Sequence, residues 1–369
     1  MVARVLRNQQ PQYYFLVGDA AHDENDIIIF IMGSIPVLTY IIAGQLRRNY
    51  VITHRDQTLL DVPGGGLLYA AAGAGIWEQG IGLISRIGED YPHEWLDKLA
   101  QCGFDLRGVR ILPEAFDLRY FVSYPALDAP NTDNPVAQFA RLGLPFPKAL
   151  LGYNPPGQQI DSRTQLSPLT LRQNDLPDDY LDATAAHICP LDYLSHTMLP
   201  SILRRGNVNT ITLDPSAGYM NPIFWDDIPV LINGLSAFLC AESKLVNLFQ
   251  GRSEDLWEMA ETIAGYGCEI VVIKRGSGGQ YLYNHVNRTR WIIPAYPIQV
   301  IEPTGAGDAF GGGFLAGYRH TYDPLHAVLC GNVSAAMVME GTSPFYALDA
   351  LPGLPKARLE ALREMVRKA

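Results

Sequence analysis

The sequence predicts a doubly wound α/β fold, and three observations carry this prediction. Strand-like and helix-like segments alternate along most of the chain, which is typical of a mostly parallel sheet with helices on both faces. A length of 369 residues is ample for a large buried core. Apolar residues make up 48% and charged residues 18% of the chain, which excludes a disordered or low-complexity protein.

Residues 1–36 are interpreted as an N-terminal extension with a strand at 13–18, and residues 37–369 as one domain. The predicted elements of that domain are strands at 37–43, 81–87, 210–213 and 270–273, and helices at 67–79, 94–102, 254–265 and 314–318. Asp90 is expected to cap the helix at 94–102, with Pro92 in its first turn and Gly103 after its end. A strand-like apolar run spans 291–301.

A change in amino-acid composition and pattern predicts a small β lid near residues 45–62 and 112–130. Residues 112–178 hold ten of the 26 prolines, which indicates loops and short edge strands. Segments 49–52 and 58–62 flank a polar turn and are predicted to pair as a hairpin, with 120–123 completing a sheet that covers a site. An exposed edge of this sheet offers a surface for a homodimer.

Charge and cysteine usage exclude several classes of function. The net charge is −10 and there is no long basic run, so neither nucleic acid nor an anionic membrane surface is the expected partner. Five cysteines without a CxxC pair predict buried thiols in a reducing compartment. The uncharged stretch 27–44 contains Gly33, Ser34 and Pro36, which favours two strands over a membrane-spanning helix. Without a signal-peptide pattern, the expected location is cytoplasmic.

The segment from Glu302 to Gly313 carries the clearest chemistry. Its turn, Gly305-Ala306-Gly307, precedes a predicted helix, so its backbone N–H groups and the helix dipole favour an anion. Asp308 follows the turn directly and would repel a permanent anion. We interpret Asp308 as the acceptor of a proton from an attacking hydroxyl while the turn holds a phosphoryl group. The alternative is an aspartate that caps a helix.

The same segment resembles the C-terminal signature D-T-x-G-A-G-D of the ribokinase-like, or PfkB, carbohydrate kinases. Four further segments resemble family motifs and occur in the family order: 63–66, 81–90, 274–279 and 331–336. The resemblance implies a ribokinase-like doubly wound sheet of eight or nine mostly parallel strands with a small β lid. It implies ATP and Mg²⁺, with Asp308 as the catalytic base and Gly305, Ala306 and Gly307 as the anion hole.

The resemblance also assigns residues to the nucleotide. These are Lys274, Gly276, Gly279, Thr304 and Asn332. Asp214 follows a predicted strand and resembles a family position near the phosphates, although a turn role is the alternative.

On the substrate side, the family has an aspartate five residues after a glycine. Two residues fit this spacing, Asn49 and Asp23, and Asn49 is preferred because it lies in a compact hairpin before Gly64. Gly64 and Gly65 complete the substrate side of the resemblance. Tyr69 stands where the family often has asparagine, and it either stacks on a sugar or nucleoside or packs in the core.

Two family motifs are altered in this chain. The metal motif N-x-x-E aligns with residues 241–244, where Glu242 remains as the metal candidate and Lys244 either lies near phosphates or faces solvent. Glu302 replaces an aspartate that binds a monovalent cation in some relatives, which leaves potassium activation open. Arg47, Arg48 and Arg119 either face solvent or reach an anionic substrate from the lid.

The sequence therefore predicts transfer of the ATP γ-phosphoryl group to a hydroxyl of a sugar or sugar-like molecule. The alternatives are a nucleoside kinase of the same family and a catalytically degenerate relative that only binds ligands. Kinases of the hydroxymethylpyrimidine type are less consistent with the chain, because they have a cysteine in the catalytic turn where this chain has Ala306.

Overall fold

The computed structural model describes residues 38–155 and 160–368, and residues from Leu38 onward form one compact unit. The predicted extension, its strand at 13–18 and the substrate candidate Asp23 lie outside the described residues. No helix within the described ranges is long and apolar enough to cross a membrane.

The large sheet combines parallel strands with an antiparallel edge. Its strands are β1 (Tyr40–Ala43), β4 (Ile81–Gly88), β5 (Asp105–Leu112), β8 (Ala185–Ile188), β9 (Thr210–Leu213), β10 (Ala237–Ala241), β11 (Ile270–Lys274), β12 (Gln280–Asn284), β13 (Thr289–Ile293) and β14 (Arg367–Lys368). Among the described residues their order is β14-β13-β12-β11-β10-β9-β8-β1-β4-β5. Strands β11 to β5 in this order pair in parallel, whereas β12, β13 and β14 pair antiparallel. The mostly parallel sheet is confirmed.

Helices cover both faces because successive strand residues point in opposite directions. The helices are α1 (Gly66–Gly75), α2 (His93–Gln101), α3 (Pro135–Arg141), α4 (Tyr193–Leu203), α5 (Ile228–Ile232), α6 (Glu242–Leu248), α7 (Leu256–Gly265), α8 (Ala306–Thr321), α9 (Pro324–Met339) and α10 (Leu354–Arg363). In β11, Val271 and Ile273 pack toward α4–α7, whereas Ile270 and Val272 pack toward α8–α10. The predicted doubly wound arrangement is confirmed.

A second, small sheet is built from β2 (Arg47–Ile52), β3 (Thr58–Gly64), β6 (Arg119–Ala126) and β7 (Ala129–Asn131). Its order is β3-β2-β6-β7, with β2 antiparallel to β3 and parallel to β6. The hairpin and the added strand are present as the sequence predicts. A homodimer through this edge stays a prediction.

Local structure departs from the sequence predictions at two places. Asp90 does not cap α2, because its carboxylate accepts a hydrogen bond from the Phe116 N–H at 3.2 Å and the helix begins after Pro92. The strand-like run 291–301 ends as a strand at Ile293. Pro294 and Pro297 interrupt the run, and proline cannot donate a hydrogen bond to a sheet ladder. The glycine turn at 305–307 therefore follows a loop and not a strand.

Candidate active site

The turn at Gly305 sets the direction of α8 and depends on glycine. Gly305 has a left-handed φ of 78° and forms the N-cap of α8. A Cβ at this position would overlap the ring of Tyr69, which is 3% exposed. The turn therefore combines a backbone conformation and a close approach that only glycine accommodates.

The N-terminus of α8 carries backbone donors without acceptors. The Ala306 N–H donates to the Pro303 carbonyl at 3.3 Å, whereas the Gly307 and Asp308 N–H groups have no acceptor within the described ranges. Free N–H groups at a helix N-terminus favour an anion. Of the predicted anion hole, Gly307 offers a free donor and Ala306 has its N–H already engaged.

Asp308 lies in the first turn of α8, against the start of α1. A Cβ at Gly66 would lie 3.0 Å from Asp308 Oδ1, so the glycine-rich start of α1 makes room for this carboxylate. Burial, and next the negative charge of Asp214, raise the pKa of Asp308 to about 6, against the opposing pull of Lys274, Lys244 and Arg47. A carboxylate with such a pKa is suited to accept a proton near neutral pH.

Two lysines share one buried carboxylate beside the turn. Asp214 directly follows β9 and is 2% exposed. Its Oδ2 pairs with Lys274 Nζ, and its Oδ1 lies 3.2 Å from Lys244 Nζ. Burial alone would raise the pKa of Asp214, but attraction to Lys244 and Lys274 lowers it below its ordinary value. The group carries one net positive charge.

This cationic group contacts the glycine turn at 305–307 through Lys274. Its Nζ donates to the Gly307 carbonyl at 3.1 Å. Lys244 also donates to the Pro215 carbonyl at 2.6 Å. The structure thus brings together Asp308, the glycine turn, Lys274 and Asp214, which the sequence places as much as 94 residues apart. It adds Lys244, whose position in the altered metal motif was the one sequence signal for it.

The Gly276–Gly279 loop connects β11 to β12 close to Lys274. Gly279 has a φ of 78°, and a Cβ there would overlap the Ile293 carbonyl. Arg275 directly precedes this loop. Its guanidinium lies 4.4 Å from the centre of the Tyr281 ring and donates a hydrogen bond to Glu242 Oε2 at 2.7 Å. Gly276 and Gly279 are therefore placed at the carboxyl end of β11, where open α/β sheets bind ligands.

Glu242 Oε2 accepts a hydrogen bond from Arg275, so its carboxylate is partly engaged, and its role as a metal ligand stays a prediction. Asp214 is bound by two lysines, and no group of three His, Cys, Asp or Glu side chains suited to a metal occurs in the described part of the chain. The described residues offer no protein cage for Mg²⁺.

The lid contacts both the turn and the nucleotide loop. In β6, the Tyr124 hydroxyl is hydrogen-bonded to Thr304 Oγ1 at 2.9 Å. Beyond β6, Asp128 Oδ2 accepts a hydrogen bond from Ser277 Oγ at 2.7 Å. Nothing in the sequence pairs Asp128 with Ser277, because 149 positions separate them.

The predicted substrate residues form a packed layer under the lid. Asn49 is 1% exposed and faces Gly64, and its buried Oδ1 has no hydrogen-bond partner among the described residues. Gly65 has a φ of 98° and is the N-cap of α1. Because Tyr69 is buried against Gly305, its ring has no free face for stacking on a substrate. Tyr69 therefore supports the turn at Gly305, and the substrate role of Asn49 stays a prediction.

Asn332 and Glu302 support neighbouring loops. Asn332 Oδ1 accepts from the Tyr296 N–H at 3.0 Å, and its Nδ2 donates to Gln280 and to the Pro294 carbonyl. Glu302 accepts from the Thr304 N–H at 2.7 Å, and burial raises the pKa of its carboxyl group. The Asn332 amide is therefore engaged in fixing the loop that leads to the catalytic turn.

Comparison with known proteins points to one family. Residues 203–350 match the model of the pfkB family carbohydrate kinases. A cytidine kinase of Thermococcus kodakarensis is 28% identical over 267 residues, which cover 71% of this chain and 82% of that protein. A 5-dehydro-2-deoxygluconokinase of Geobacillus kaustophilus is 26% identical over 222 residues, 56% of this chain and 63% of the relative.

The fold is also that of a solved kinase-like structure. A putative ribokinase II from E. coli, in complex with ATP and Mg²⁺, superposes with a TM-score of 0.63. The match covers 89% of this chain and 99% of that chain at 17% sequence identity. At this level of identity the comparison establishes the ribokinase-like fold and nothing finer.

Proposed function

We propose that this chain, whose residues 203–350 match the model of the pfkB family carbohydrate kinases, is a phosphotransferase with an alcohol acceptor that transfers the γ-phosphoryl group of ATP to a hydroxyl of a sugar or sugar-like molecule. The observation that supports this most is the placement of Asp308. A carboxylate with a pKa of about 6 stands beside free backbone donors at a helix N-terminus, under a lid.

In the proposed reaction the acceptor hydroxyl oxygen attacks the γ-phosphorus as its proton passes to Asp308. The bond between the γ-phosphorus and the bridging oxygen breaks, and ADP leaves with the electron pair. The free N–H groups of Gly307 and Asp308 stabilise the negative charge on the phosphoryl oxygens. Gly66 leaves room beside the Asp308 carboxylate, Gly64 and Gly65 stay candidates for the substrate side, and the lid excludes water.

Lys274 and Lys244 provide the fixed positive charge on the phosphate side. Both ammonium groups are held by Asp214, so little side-chain entropy remains to be lost when phosphates bind. In this proposal Mg²⁺ accompanies ATP on its phosphates, as suits an ion that retains most of its waters. Activation by a monovalent cation near Glu302 stays a prediction.

The alternative within the family is a nucleoside acceptor, which the similarity to the cytidine kinase favours. A degenerate, non-catalytic relative is disfavoured because Asp308, the turn and the lysine pair are all in place.

The test is a coupled assay of ADP release with ATP, Mg²⁺ and a broad panel of sugars, sugar acids, polyols and nucleosides, with and without K⁺. We expect turnover with at least one acceptor, and loss of it in Asp308→Asn. If ATP binds but no acceptor in the panel is phosphorylated, the kinase proposal is wrong.

A further inference from the structure

Three arginines lie on the lid strands next to the active site, and two of them are neutralised. Arg48 forms a bidentate pair with Asp61, at 2.8 and 2.6 Å. Arg119 pairs with Asp117 at 2.7 and 2.8 Å. Arg47, in contrast, has no acidic partner within the described residues, and its guanidinium donates only to the neutral side chain of Gln45, at 2.9 Å.

The position of Arg47 directs it to the acceptor side of the site. Arg47 is the first residue of β2, and its backbone pairs with Gly64 in β3. Gly66 follows two residues after Gly64 and lies against Asp308. The Arg47 guanidinium lies 4.8 Å from the centre of the Tyr120 ring. Both side chains are partly exposed. Arg47 is thus held on an aromatic surface, close enough to Asp308 for its charge to lower the pKa of that carboxyl group, against the larger effect of burial.

A guanidinium that has no ion pair among the described residues, although its charge acts on Asp308, has a clear preference among ligands. Its planar set of N–H donors matches the two oxygens of a carboxylate, and a charge-assisted, bidentate contact is among the stronger polar interactions in proteins. Arg47 lies over one face of the Tyr120 ring, so that face is not free to stack on a nucleoside base. The geometry favours an acidic acceptor over a nucleoside.

The surroundings of the cleft agree with this preference. Lys244, Lys274 and Arg47 carry three positive charges, and Asp214 and ionised Asp308 carry two negative charges, so one net positive charge remains in the site. Asn49 is neutral and buried, so it adds no charge opposed to an anion.

We propose that the acceptor is a sugar acid whose carboxylate is bound by Arg47, while one of its hydroxyl groups faces Asp308. This proposal rests on the proposed function and specifies its substrate class. Phosphoryl transfer proceeds as described above, and the carboxylate takes no part in bond making or breaking. Arg47 is a specificity residue and Asp308 the catalytic one.

The experiment compares matched acceptors with and without the acid group. Initial rates are measured for six-carbon sugar acids (aldonates, deoxyaldonates and ketoaldonates), for the neutral alditol or ketose that corresponds to each, and for cytidine. The proteins are the unmodified chain, Arg47→Gln, Arg47→Lys and Arg55→Gln. Arg55 is an exposed lid residue between β2 and β3, so its variant matches the charge change away from the cleft.

We expect a sugar acid to be the best acceptor of the unmodified chain. Arg47→Gln is expected to raise KM for that acid by about 10- to 100-fold, the size of a charge-assisted contact, and to change KM for neutral acceptors by less than about threefold. Arg47→Lys is expected to recover only part of the affinity, because an ammonium cannot form the bidentate contact. Arg55→Gln is expected to behave like the unmodified chain.

Binding without turnover gives the second readout. Calorimetric titration of the sugar acid into Asp308→Asn, with and without Arg47→Gln, is expected to show the same loss of affinity. If neutral acceptors or cytidine are preferred, or if Arg47→Gln affects acid and neutral acceptors equally, the sugar-acid proposal is wrong while the kinase proposal stands. If no acceptor is phosphorylated at all, the kinase proposal itself fails.

Discussion

Replacing Asp308 with asparagine is expected to abolish activity and at the same time to stabilise the protein. The fold raises the pKa of this carboxyl group from 3.8 to about 6, chiefly through burial and next through the charge of Asp214. Ionised Asp308 is therefore held in the folded state at a cost in free energy. An asparagine of the same shape does not carry this cost.

The magnitude follows from the difference in pKa between the unfolded and folded states. A rise of about two pH units corresponds to about 3 kcal/mol at pH values above 6, since each unit is worth about 1.4 kcal/mol. The pKa of this acid is raised on folding, so its destabilising contribution is absent below about pH 3.8, grows as the pH rises from 3.8 to about 6, and is constant above that. We expect Asp308→Asn to gain about 1–3 kcal/mol at pH 8, since the amide leaves part of its hydrogen bonding unmet.

The assay is urea denaturation of both proteins without ligands at pH 4 and pH 8. Buried histidines such as His187, whose pKa is lowered to about 3 by burial, titrate in both proteins and cancel in the difference. Asp97→Asn, on the exposed face of α2, is the control for removing one negative charge. In the unmodified chain kcat/KM is expected to rise to a plateau above about pH 6, and in Asp308→Asn to fall by 10²- to 10⁴-fold.

One result refutes this reasoning directly. If Asp308→Asn is no more stable than the unmodified chain at pH 8, or if its gain is as large at pH 4, the carboxylate carries no burial cost. If the variant keeps its activity, Asp308 is not the base.

Three further outcomes are expected. Gly305→Ala is expected to be inactive and poorly folded, because its Cβ overlaps the Tyr69 ring and its φ is left-handed; solubility and activity measure this, and a well-folded active variant would contradict it. Lys244→Met is expected to weaken binding of the triphosphate of ATP by 10-fold or more without Mg²⁺, as calorimetry in EDTA measures, and an unchanged affinity would make Lys244 purely structural. Ser277→Ala is expected to raise KM for ATP by about fivefold at unchanged kcat, because it removes the 2.7 Å bond to Asp128; an unchanged KM would show that this bond does not hold the lid.

Much of the fold is predictable from the sequence because its signals are local. The strand at 210–213 occurs as predicted, since four consecutive apolar and β-branched residues end at Asp214 in a position typical of a buried parallel strand. The start of α8 is likewise predictable from the Gly-Ala-Gly turn itself, because Gly305 is the N-cap of the helix. Such features need no knowledge of distant contacts.

The side chains of the site are harder to predict because they depend on contacts distant in sequence. Tyr69 is buried against Gly305, and the Asn332 amide is hydrogen-bonded to the loop at 294–296. Sequence position alone therefore does not distinguish a residue that supports the site from one that contacts a ligand. Glu242 is retained in the altered metal motif, but its carboxylate accepts a hydrogen bond from Arg275, which is 33 residues away in the sequence. In contrast, Pro294 and Pro297 are visible in the sequence and indicate that the run 291–301 is not a continuous strand.

The departures from the family pattern shift the charge of the cleft in one direction. By the resemblance, position 49 changes from aspartate to asparagine and position 244 from glutamate to lysine, which makes the site more positive by three charges. Arg47 stands unneutralised beside the same cleft, in a chain whose net charge is −10. A strongly acidic protein that concentrates positive charge where two substrates meet is suited to bind two anions together. The altered residues are therefore better explained by an anionic acceptor than by loss of catalysis, since loss of catalysis would not require Asp308 to be held ionised at a cost in stability.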